Sequence, residues 1–119
     1  MPTDPRRERG GAGEDAALGV YLHRGYQLVA RNWRCRLGEL DLVLARGDTL
    51  VFCEVKTRRG SSFGGGYEAV TWRKRAKLRS LAEVFLLESH ARPGATRFDV
   101  ASVALDPRGP QVELFEDAF

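Results

Sequence analysis

The chain has 119 residues, a length that suits one compact domain, and 43% of them are hydrophobic, which excludes wholesale disorder. No apolar run approaches the length of a membrane span, and the first eleven residues lack the apolar segment of a secretory signal. We therefore expect a cytoplasmic protein with no membrane partner, a flexible tail over residues 1–11 and a single domain over residues 12–119. Cys35 and Cys53 are then expected to be free thiols.

The net charge is only +3, but the charges are distributed unevenly. Residues 56–79 contain eight basic side chains and one acidic side chain, whereas residues 80–119 contain seven acidic and three basic side chains. A basic stripe inside a nearly balanced protein predicts a surface that binds a polyanion. The alternative interpretation is a solvated helix surface without a ligand.

The first predicted element is a helix over residues 12–24, which Gly25 is well placed to end. One stripe of this helix should face a sheet, and it comprises Glu14, Ala17, Leu18 and Tyr21. Strands are predicted over residues 26–32, 38–45, 49–57, 97–105 and 111–115, and a second helix over residues 68–89. The apolar stripe of the second helix comprises Val70, Leu78, Leu81, Ala82 and Phe85.

The order of these elements is α-β-β-β-α-β-β, which predicts an α/β fold with a central mixed sheet flanked by helices. The second and third strands should form a hairpin with Gly47 and Asp48 in the turn, so that Arg46 pairs with Thr49. In that register Asp41 lies opposite Glu54.

Alternation along the same hairpin places Glu39 opposite Lys56, with a salt bridge between them. The charged side chains should share one face of the hairpin, namely Glu39, Asp41, Glu54 and Lys56. The opposite face should then hold the apolar side chains, namely Leu40, Leu42, Leu44, Cys53 and Val55. In the fourth strand, Asp99 is expected to form an ion pair with Arg97 at the sheet edge, with a role in the charged site as the alternative.

Two carboxylates directly opposite each other, Asp41 and Glu54, would repel and destabilise the hairpin. A divalent cation between them would remove that repulsion, and Mg²⁺ is commonly bound by a few carboxylates and water. Lys56 on the same face would position a water or stabilise charge on a phosphate. Glu14, at the inward stripe of the first helix, either joins the cation site or contacts the helix dipole, and the sequence leaves both open.

The spacing of Asp41 and the triplet Glu54-Val55-Lys56 resembles the PD-(D/E)xK motif of restriction-endonuclease-like nucleases, with Leu40 where the motif has proline. Over residues 12 to the C-terminus the chain resembles the YraN family of small bacterial proteins, which is similar to archaeal-type Holliday-junction resolvases. The segments that carry this resemblance are Gly13-Glu14-Asp15, Gly38-Glu39-Leu40-Asp41-Leu42-Val43, Val51-Phe52-Cys53-Glu54-Val55-Lys56-Thr57-Arg58, Ala69-Val70 with Lys74, and Arg97-Phe98-Asp99-Val100.

The resemblance implies a restriction-endonuclease-like fold and a metal-dependent endonuclease that hydrolyses phosphodiester bonds in DNA, with branched DNA as a candidate substrate. It implies Mg²⁺ or Mn²⁺ as cofactor, with Glu14, Asp41 and Glu54 as metal ligands and Lys56 as the catalytic lysine. The basic stripe would hold flanking phosphates through Arg58, Arg59, Arg73, Lys74 and Lys77. Trp72 and Tyr67 are candidates to stack on an unpaired base, with ordinary helix packing as the alternative.

The main alternative function is a nucleic-acid-binding protein that has the nuclease-like fold without catalysis. A third is a structural protein whose acidic pair binds a stabilising cation. The combination of Glu14, Asp41, Glu54 and Lys56 favours the enzyme, because a pure binding protein has no need of opposed carboxylates. Branch specificity would be explained by a homodimer, for which exposed apolar side chains near the C-terminus, Phe115 and Phe119, are candidates.

Overall fold

The computed structural model describes residues 5–59 and 71–119, with side chains described over residues 11–58 and 71–119. The elements are α1 (Pro5–His23), β1 (Gln27–Cys35), β2 (Gly38–Arg46), β3 (Thr49–Arg59), α2 (Trp72–Ser89), β4 (Ala95–Asp106) and β5 (Gly109–Phe115). This order confirms the predicted α/β architecture. Among the described residues, neither helix is long and apolar enough to cross a membrane.

The five strands form one mixed sheet in the order β1-β2-β3-β4-β5. β3 and β4 are parallel and are joined through α2, whereas every other neighbouring pair is antiparallel. A parallel pair needs such a crossover because a tight turn cannot bring the chain back to the starting end of the sheet. The crossover places α2 beside β3.

The two helices cover opposite faces of the sheet, each over its own apolar cluster. The cluster between α1 and the sheet comprises Ala17, Tyr21, Tyr26, Leu42, Leu44, Val51, Cys53, Ala101 and Val103. The cluster between α2 and the sheet comprises Leu40, Val43, Leu50, Phe52, Leu78, Leu81, Ala82 and Phe85. Burial of these side chains is the main favourable contribution to folding. The predicted inward stripes of both helices are confirmed, except that Val70 lies outside the described residues.

α1 ends as predicted and begins earlier than predicted. Its last turn closes before Gly25, whose φ of +89° is the left-handed conformation that favours glycine, and the Tyr26 amide donates to the Tyr21 carbonyl at 3.0 Å. The helix starts at Pro5, so residues 5–11, which the sequence assigned to a flexible tail, are helical. Proline is favoured at the first helical position, and this signal identifies the true start.

α2 begins at Trp72 rather than at residue 68. Thr71 has an extended backbone, and its Oγ1 accepts a hydrogen bond from the Lys74 amide at 3.3 Å, which makes it the N-cap. The cap fixes where α2 begins, and from its first turn Lys74 reaches Glu54 of β3.

The predicted hairpin register is confirmed from Arg46–Thr49 to Leu42–Cys53. Beyond that point the prediction that Leu40 shares a face with Leu42 and Leu44 is wrong, because Leu40 packs under α2 and the other two pack under α1. Alternate residues of a regular strand face the same side, so β2 changes phase at Asp41.

The phase change coincides with an unusual backbone conformation in the neighbouring strand β1. β1 pairs Arg31 with Leu42 and Trp33 with Leu40, which leaves Asn32 beside Asp41 at the irregularity. Asn32 has a φ of +53°, a left-handed conformation that asparagine tolerates better than most residues. The irregularity therefore spans both strands and places Asp41 where regular pairing stops.

Candidate acidic site and basic face

Asp41 lies at the point where the paired part of the β2–β3 hairpin ends. Its Oδ2 accepts a hydrogen bond from the Val55 amide at 2.8 Å, so a side chain satisfies a β3 amide beyond the last paired residues. Burial raises the pKa of Asp41 to about 7, and the carboxylates of Glu54, Glu14 and Glu39 add to that shift, while the Val55 hydrogen bond opposes it. Asp41 is therefore surrounded by like charge.

Among the acidic side chains near Asp41, Glu54 has the largest effect on the pKa of Asp41. Two lysines contact Glu54. Its Oε1 lies 3.4 Å from the Lys56 Nζ and 3.4 Å from the Lys74 Nζ. The Glu54 side chain is 11% exposed, so both lysines are drawn into a partly dehydrated site. Burial and then the adjacent Lys74 lower the pKa of Lys56, although Glu54 opposes the change.

Lys74, which is predicted to contact phosphates, lies with its Nζ 3.4 Å from the Glu54 Oε1. The sequence could not place it there, because the contact depends on how the crossover helix sits on β3. Burial lowers the pKa of Lys74, but its hydrogen bond with Lys56 and the charge of Glu54 outweigh that effect, so the net change is upward. The two lysines therefore differ, with Lys56 the more easily deprotonated.

Glu14 faces the sheet, as predicted, because α1 approaches β3 closely at the preceding residue. Gly13 is buried, and a Cβ added there would overlap with the Thr57 side chain, so only glycine allows this approach. The Glu14 carboxylate accepts a hydrogen bond from the Arg31 Nε at 3.1 Å. Arg31 also contacts Asp15 at 2.6 Å, so one guanidinium holds the start of the inward stripe of α1 against β1.

The three predicted metal ligands, Glu14, Asp41 and Glu54, consequently do not form one cluster in the structure. Among the described residues, no group of three or more His, Cys, Asp or Glu side chains is arranged to hold a metal ion. Asp41 and Glu54 interact closely, whereas Glu14 is paired with Arg31 and acts on Asp41 through its charge. The pair supplies the oxygen donors that Mg²⁺ or Mn²⁺ uses, and such ions retain several waters, so two carboxylates fit a hydrated cation.

The predicted salt bridge between Glu39 and Lys56 is wrong. Glu39 lies 3.4 Å from the Arg34 Nε of β1, opposite it in the β1–β2 register, and Lys56 contacts Glu54. The prediction extended the hairpin register past the phase change at Asp41, and it ignored the strand on the other side of β2.

The remaining basic side chains lie around the start of α2. Arg73 and Lys77 are exposed, Arg58 is half-buried near the end of β3, and Trp72 is 84% exposed. The side chain of Arg59 and all of Tyr67 lie outside the described residues. A side chain this exposed is not packed against the described residues, so the alternative of ordinary helix packing does not hold for Trp72 in the described part of the chain.

Two predictions near the C-terminal end of the chain need correction. Phe115 and Phe119, expected to be exposed, are both half-buried, and Phe119 stacks on Phe98 with ring centroids 5.2 Å apart. Asp99 pairs with Arg97 as predicted, but it is fully buried within the sheet rather than at its edge.

Sequence reasoning missed the network around Asp99. Its Oδ2 accepts from the Tyr21 hydroxyl at 2.7 Å and its Oδ1 accepts from the Asp117 amide at 3.0 Å, while Arg97 donates to both oxygens at 2.8 Å. Arg97 also donates to the Tyr26 hydroxyl at 2.9 Å. The available signal was an Asp inside an apolar strand, which requires partners when it is buried.

The fold and the site together define a class of protein, an α/β chain with a half-buried acidic pair and two lysines where a central hairpin stops pairing. The family model for "Uncharacterised protein family UPF0102" matches residues 13–103. The chain therefore belongs to UPF0102, which confirms the resemblance to the YraN family.

The relatives cover nearly the whole chain. A UPF0102 protein of Parafrankia sp. (strain EAN1pec) is 50% identical over 108 residues, covering 90% of this chain and 92% of its own. A UPF0102 protein of Rhodococcus opacus (strain B4) is 46% identical over 112 residues, covering 92% and 94%. A UPF0102 protein of Pelotomaculum thermopropionicum is 43% identical over 119 residues, covering 98% and 99%.

Proposed function

We propose that this protein is a metal-dependent endonuclease that hydrolyses phosphodiester bonds in DNA. The observation that carries the proposal is the acidic pair, because Asp41 is half-buried beside Glu54 with its pKa raised to about 7. Burying like charges together destabilises a fold, and proteins retain such arrangements mainly at functional sites. Lys56 on the same strand as Glu54 completes the arrangement that resembles PD-(D/E)xK nucleases.

A divalent cation at Asp41 and Glu54 would supply Lewis-acid polarisation of a phosphate and lower the pKa of a bound water. Asp41 and Glu54 suit this role because their mutual repulsion is relieved by a cation. Glu14 strengthens the negative potential at Asp41, and Arg31 holds the Glu14 carboxylate in place. The Val55 amide fixes the Asp41 carboxylate, which limits the reorganisation needed for binding.

The chain's own residues have separate roles in this proposal. Lys56, whose pKa is lowered, is suited to accept or hold the proton of an attacking water near Glu54. Lys74, which comes from α2, balances the charge of Glu54 on β3. Arg58, Arg73 and Lys77 would bind flanking phosphates, which gives salt-sensitive contacts without sequence preference.

The substrate and setting are also part of the proposal. The similarity of the YraN family to archaeal-type Holliday-junction resolvases favours branched DNA. Cleavage of two strands at a branch needs two sites, which a homodimer would provide. Both cysteines are free, which supports a reducing cytoplasm as the compartment.

The proposal is tested by cleavage of a labelled panel comprising a four-way junction, a flap, a single strand and a linear duplex, with Mg²⁺ or Mn²⁺. We expect cutting by the wild type and a loss of about 10²- to 10⁴-fold in rate for Lys56→Ala. Lys77→Ala is the matched control, since the same truncation on the exposed face of α2 should weaken binding and leave the rate at saturating DNA unchanged. Unchanged cutting by Lys56→Ala would remove that lysine from the chemistry.

Metal binding is tested separately by titrating Mn²⁺ calorimetrically into the wild type and Asp41→Ala. We expect the wild type to bind and the variant to bind much more weakly. Equal binding by both proteins would contradict the assignment of Asp41 as a ligand.

A second candidate function, a non-catalytic nucleic-acid-binding protein, is favoured by one specific observation. The carboxylates of Glu14 and Glu54 already have basic partners from the chain, namely Arg31 and the two lysines. A protein that only binds DNA would keep those pairs. It would bind the panel equally as wild type and Lys56→Ala, and it would cut nothing in either metal.

A further inference from the structure

A pocket lies on the flank of α2 that faces the C-terminal residues, separate from the acidic site. Its volume is about 220 Å³, and among the described residues it is lined by Trp72, Arg75, Ala76, Arg79 and Phe119. Trp72, Arg75 and Arg79 follow an i, i+3, i+7 spacing, so they lie along one stripe of the helix. Its lining side chains are two aromatic rings, two guanidinium groups and the methyl group of Ala76, with no Asp or Glu side chain among the described lining residues.

The two guanidinium groups of this pocket are held in place before any ligand binds. The Cζ of Arg75 lies 5.6 Å from the Phe119 ring centroid, and the Cζ of Arg79 lies 5.8 Å from the same centroid and 5.9 Å from that of Phe98. These are cation–π distances. Side chains that are already ordered lose less entropy on binding, so the arrangement favours recognition of an anion.

The wall opposite the helix is fixed by the buried network at Asp99. The Asp117 amide donates to Asp99, and the Ala118 amide donates to the Phe98 carbonyl at 2.7 Å. These two bonds hold the backbone that carries Phe119, whose ring stacks on Phe98 with an angle of 26° between ring planes. The pocket therefore has a rigid aromatic wall facing a tryptophan that is 84% exposed.

We infer that this pocket binds a single unpaired nucleotide, with the base stacked on Trp72 and its phosphate bound by Arg75 and Arg79. An exposed indole stacks on any base, and a guanidinium pair matches a phosphate. The volume is adequate for one base and too small for a duplex. The inference rests on the proposed nucleic-acid function and adds a substrate feature to it, namely DNA with a splayed or single-stranded nucleotide beside the acidic site.

The start of α2 contributes side chains to both the pocket and the acidic site. Lys74, which contacts Glu54, is the chain neighbour of Arg75, which lines the pocket. One strand of DNA could therefore place a phosphate near Lys56 while an adjacent unpaired nucleotide occupies the pocket. Such an arrangement would make cleavage selective for junctions and flaps over fully paired duplex.

The inference is tested by fluorescence of Trp72 in full-length protein without divalent cations, so that no cleavage occurs. The chain has two tryptophans, and Trp33→Phe removes the other while keeping a ring against Phe85, which Trp33 contacts edge-to-face at 5.3 Å. The ligands are a short oligothymidylate, the same length of abasic strand, and a blunt duplex. We expect quenching by oligothymidylate, weak quenching by the abasic strand and none by the duplex.

Affinities are then measured by anisotropy of labelled strands for variants with otherwise native sequence. We expect Trp72→Ala to weaken oligothymidylate binding roughly tenfold, as is typical for loss of one stacked base, and to leave abasic-strand binding unchanged. Leu87→Ala is the matched control, because Leu87 is 75% exposed on the far end of the same helix. Arg79→Gln should weaken binding of both strands, and Arg92→Gln, an exposed arginine outside the pocket, should weaken neither.

The outcomes separate this inference from the proposed function. Equal affinity for oligothymidylate and the abasic strand, or equal effects of Trp72→Ala and Leu87→Ala while duplex still binds, would overturn the nucleotide pocket and leave the nuclease proposal standing. Failure of every nucleic acid to bind would overturn both. Quenching by polyglutamate as strong as by oligothymidylate would show a site for acidic peptides and overturn the nucleotide assignment.

Discussion

Two carboxylates in the same sheet, the buried Asp99 and the half-buried Asp41, have opposite surroundings. Asp99 is bound by a guanidinium, a hydroxyl and a backbone amide, and its hydrogen bonds are the main cause of the raised pKa of Arg97. Asp41 accepts the Val55 amide, and its pKa is raised by burial and by three nearby acidic side chains. The first carboxylate is compensated by partners from the fold, whereas the second lies in surroundings that disfavour its charged form. This contrast distinguishes a structural ion pair from a candidate binding site.

The largest stability effect is expected at the compensated carboxylate. Asp99→Ala should lower the free energy of unfolding by about 3–5 kcal/mol, because it leaves the Arg97 charge, which is 19% exposed, without its partner. Urea unfolding measures this loss. Glu116→Gln is the control, since its carboxylate lies 3.9 Å from Arg97 but is 43% exposed, and it should cost little. A decrease in the free energy of unfolding below about 1 kcal/mol for Asp99→Ala would contradict the conclusion that Asp99 is a structural ion pair.

The opposite sign is expected at Asp41, where removing the charge should stabilise the metal-free protein. The pKa of Asp41 is 3.8 ordinarily and about 7 in the folded chain, so the folded state holds its proton more tightly than the unfolded state. The contribution of protonated Asp41 is fully present below pH 4 and is lost as the pH rises to 7. Asp41→Asn keeps an acceptor for the Val55 amide and lacks the charge, so its advantage should grow over that interval to a few kcal/mol.

Thermal unfolding from pH 4 to pH 8 in the presence of a chelator measures this advantage. Adding Mn²⁺ at pH 8 should then raise the melting temperature of the wild type more than that of Asp41→Asn. A variant that is less stable than the wild type at pH 8 without metal would show that Asp41 is compensated after all. It would place Asp41 in the same class as Asp99.

A smaller effect is expected where α1 approaches the acidic site. Gly13→Ala should destabilise the protein by about 1–3 kcal/mol, because the added methyl group overlaps with Thr57 and pushes Glu14 away from Asp41. Gly19→Ala is the matched control in the same helix, with nothing within 4 Å of the added Cβ, and it should stabilise by about 0.5–1 kcal/mol. Equal melting temperatures for the two variants would show that α1 packs less closely than described.

The smallest effect is expected for the ion pair of Glu39. Glu39→Gln should change the free energy of unfolding by less than about 1 kcal/mol, because Arg34, its partner, is 58% exposed. The same variant should leave the DNA-cleavage rate unchanged, since Glu39 contacts Arg34 rather than Lys56. A change in that rate comparable to that of Lys56→Ala would indicate that Glu39 acts on Lys56, as the register predicted from the sequence requires.

The accuracy of the sequence predictions followed the range of the interactions involved. The turn at Gly47 and Asp48 and the apolar alternation are local, and they predicted the hairpin register from Arg46–Thr49 to Leu42–Cys53 correctly. The change of phase at Asp41 was not predictable from that pattern, because it coincides with the left-handed conformation of Asn32, which lies beside Asp41 on a different strand.

The candidate site was predicted only in its residue types. Asp41, Glu54 and Lys56 were identified from charge placed in buried strands, which is a local signal. The contact of Lys74 with Glu54 and that of Arg31 with Glu14 were not predicted, because these basic side chains come from elements whose packing the sequence pattern does not specify. The pocket beside Trp72 needs the C-terminal residues to return over Phe98, which is likewise a tertiary contact.

The irregularity at Asn32 and Asp41 also affects how molecules meet one another. β1 is an edge strand, and it exposes Leu28 and Val29, which are 41% and 48% exposed. A straight apolar edge of this kind pairs readily with a strand of a second molecule and promotes aggregation. β1 is interrupted twice, by the register shift between Leu28 and Ala30 and by the left-handed backbone of Asn32. The distortion that takes Asp41 out of regular pairing thus also protects the protein's exposed edge from strand-to-strand association.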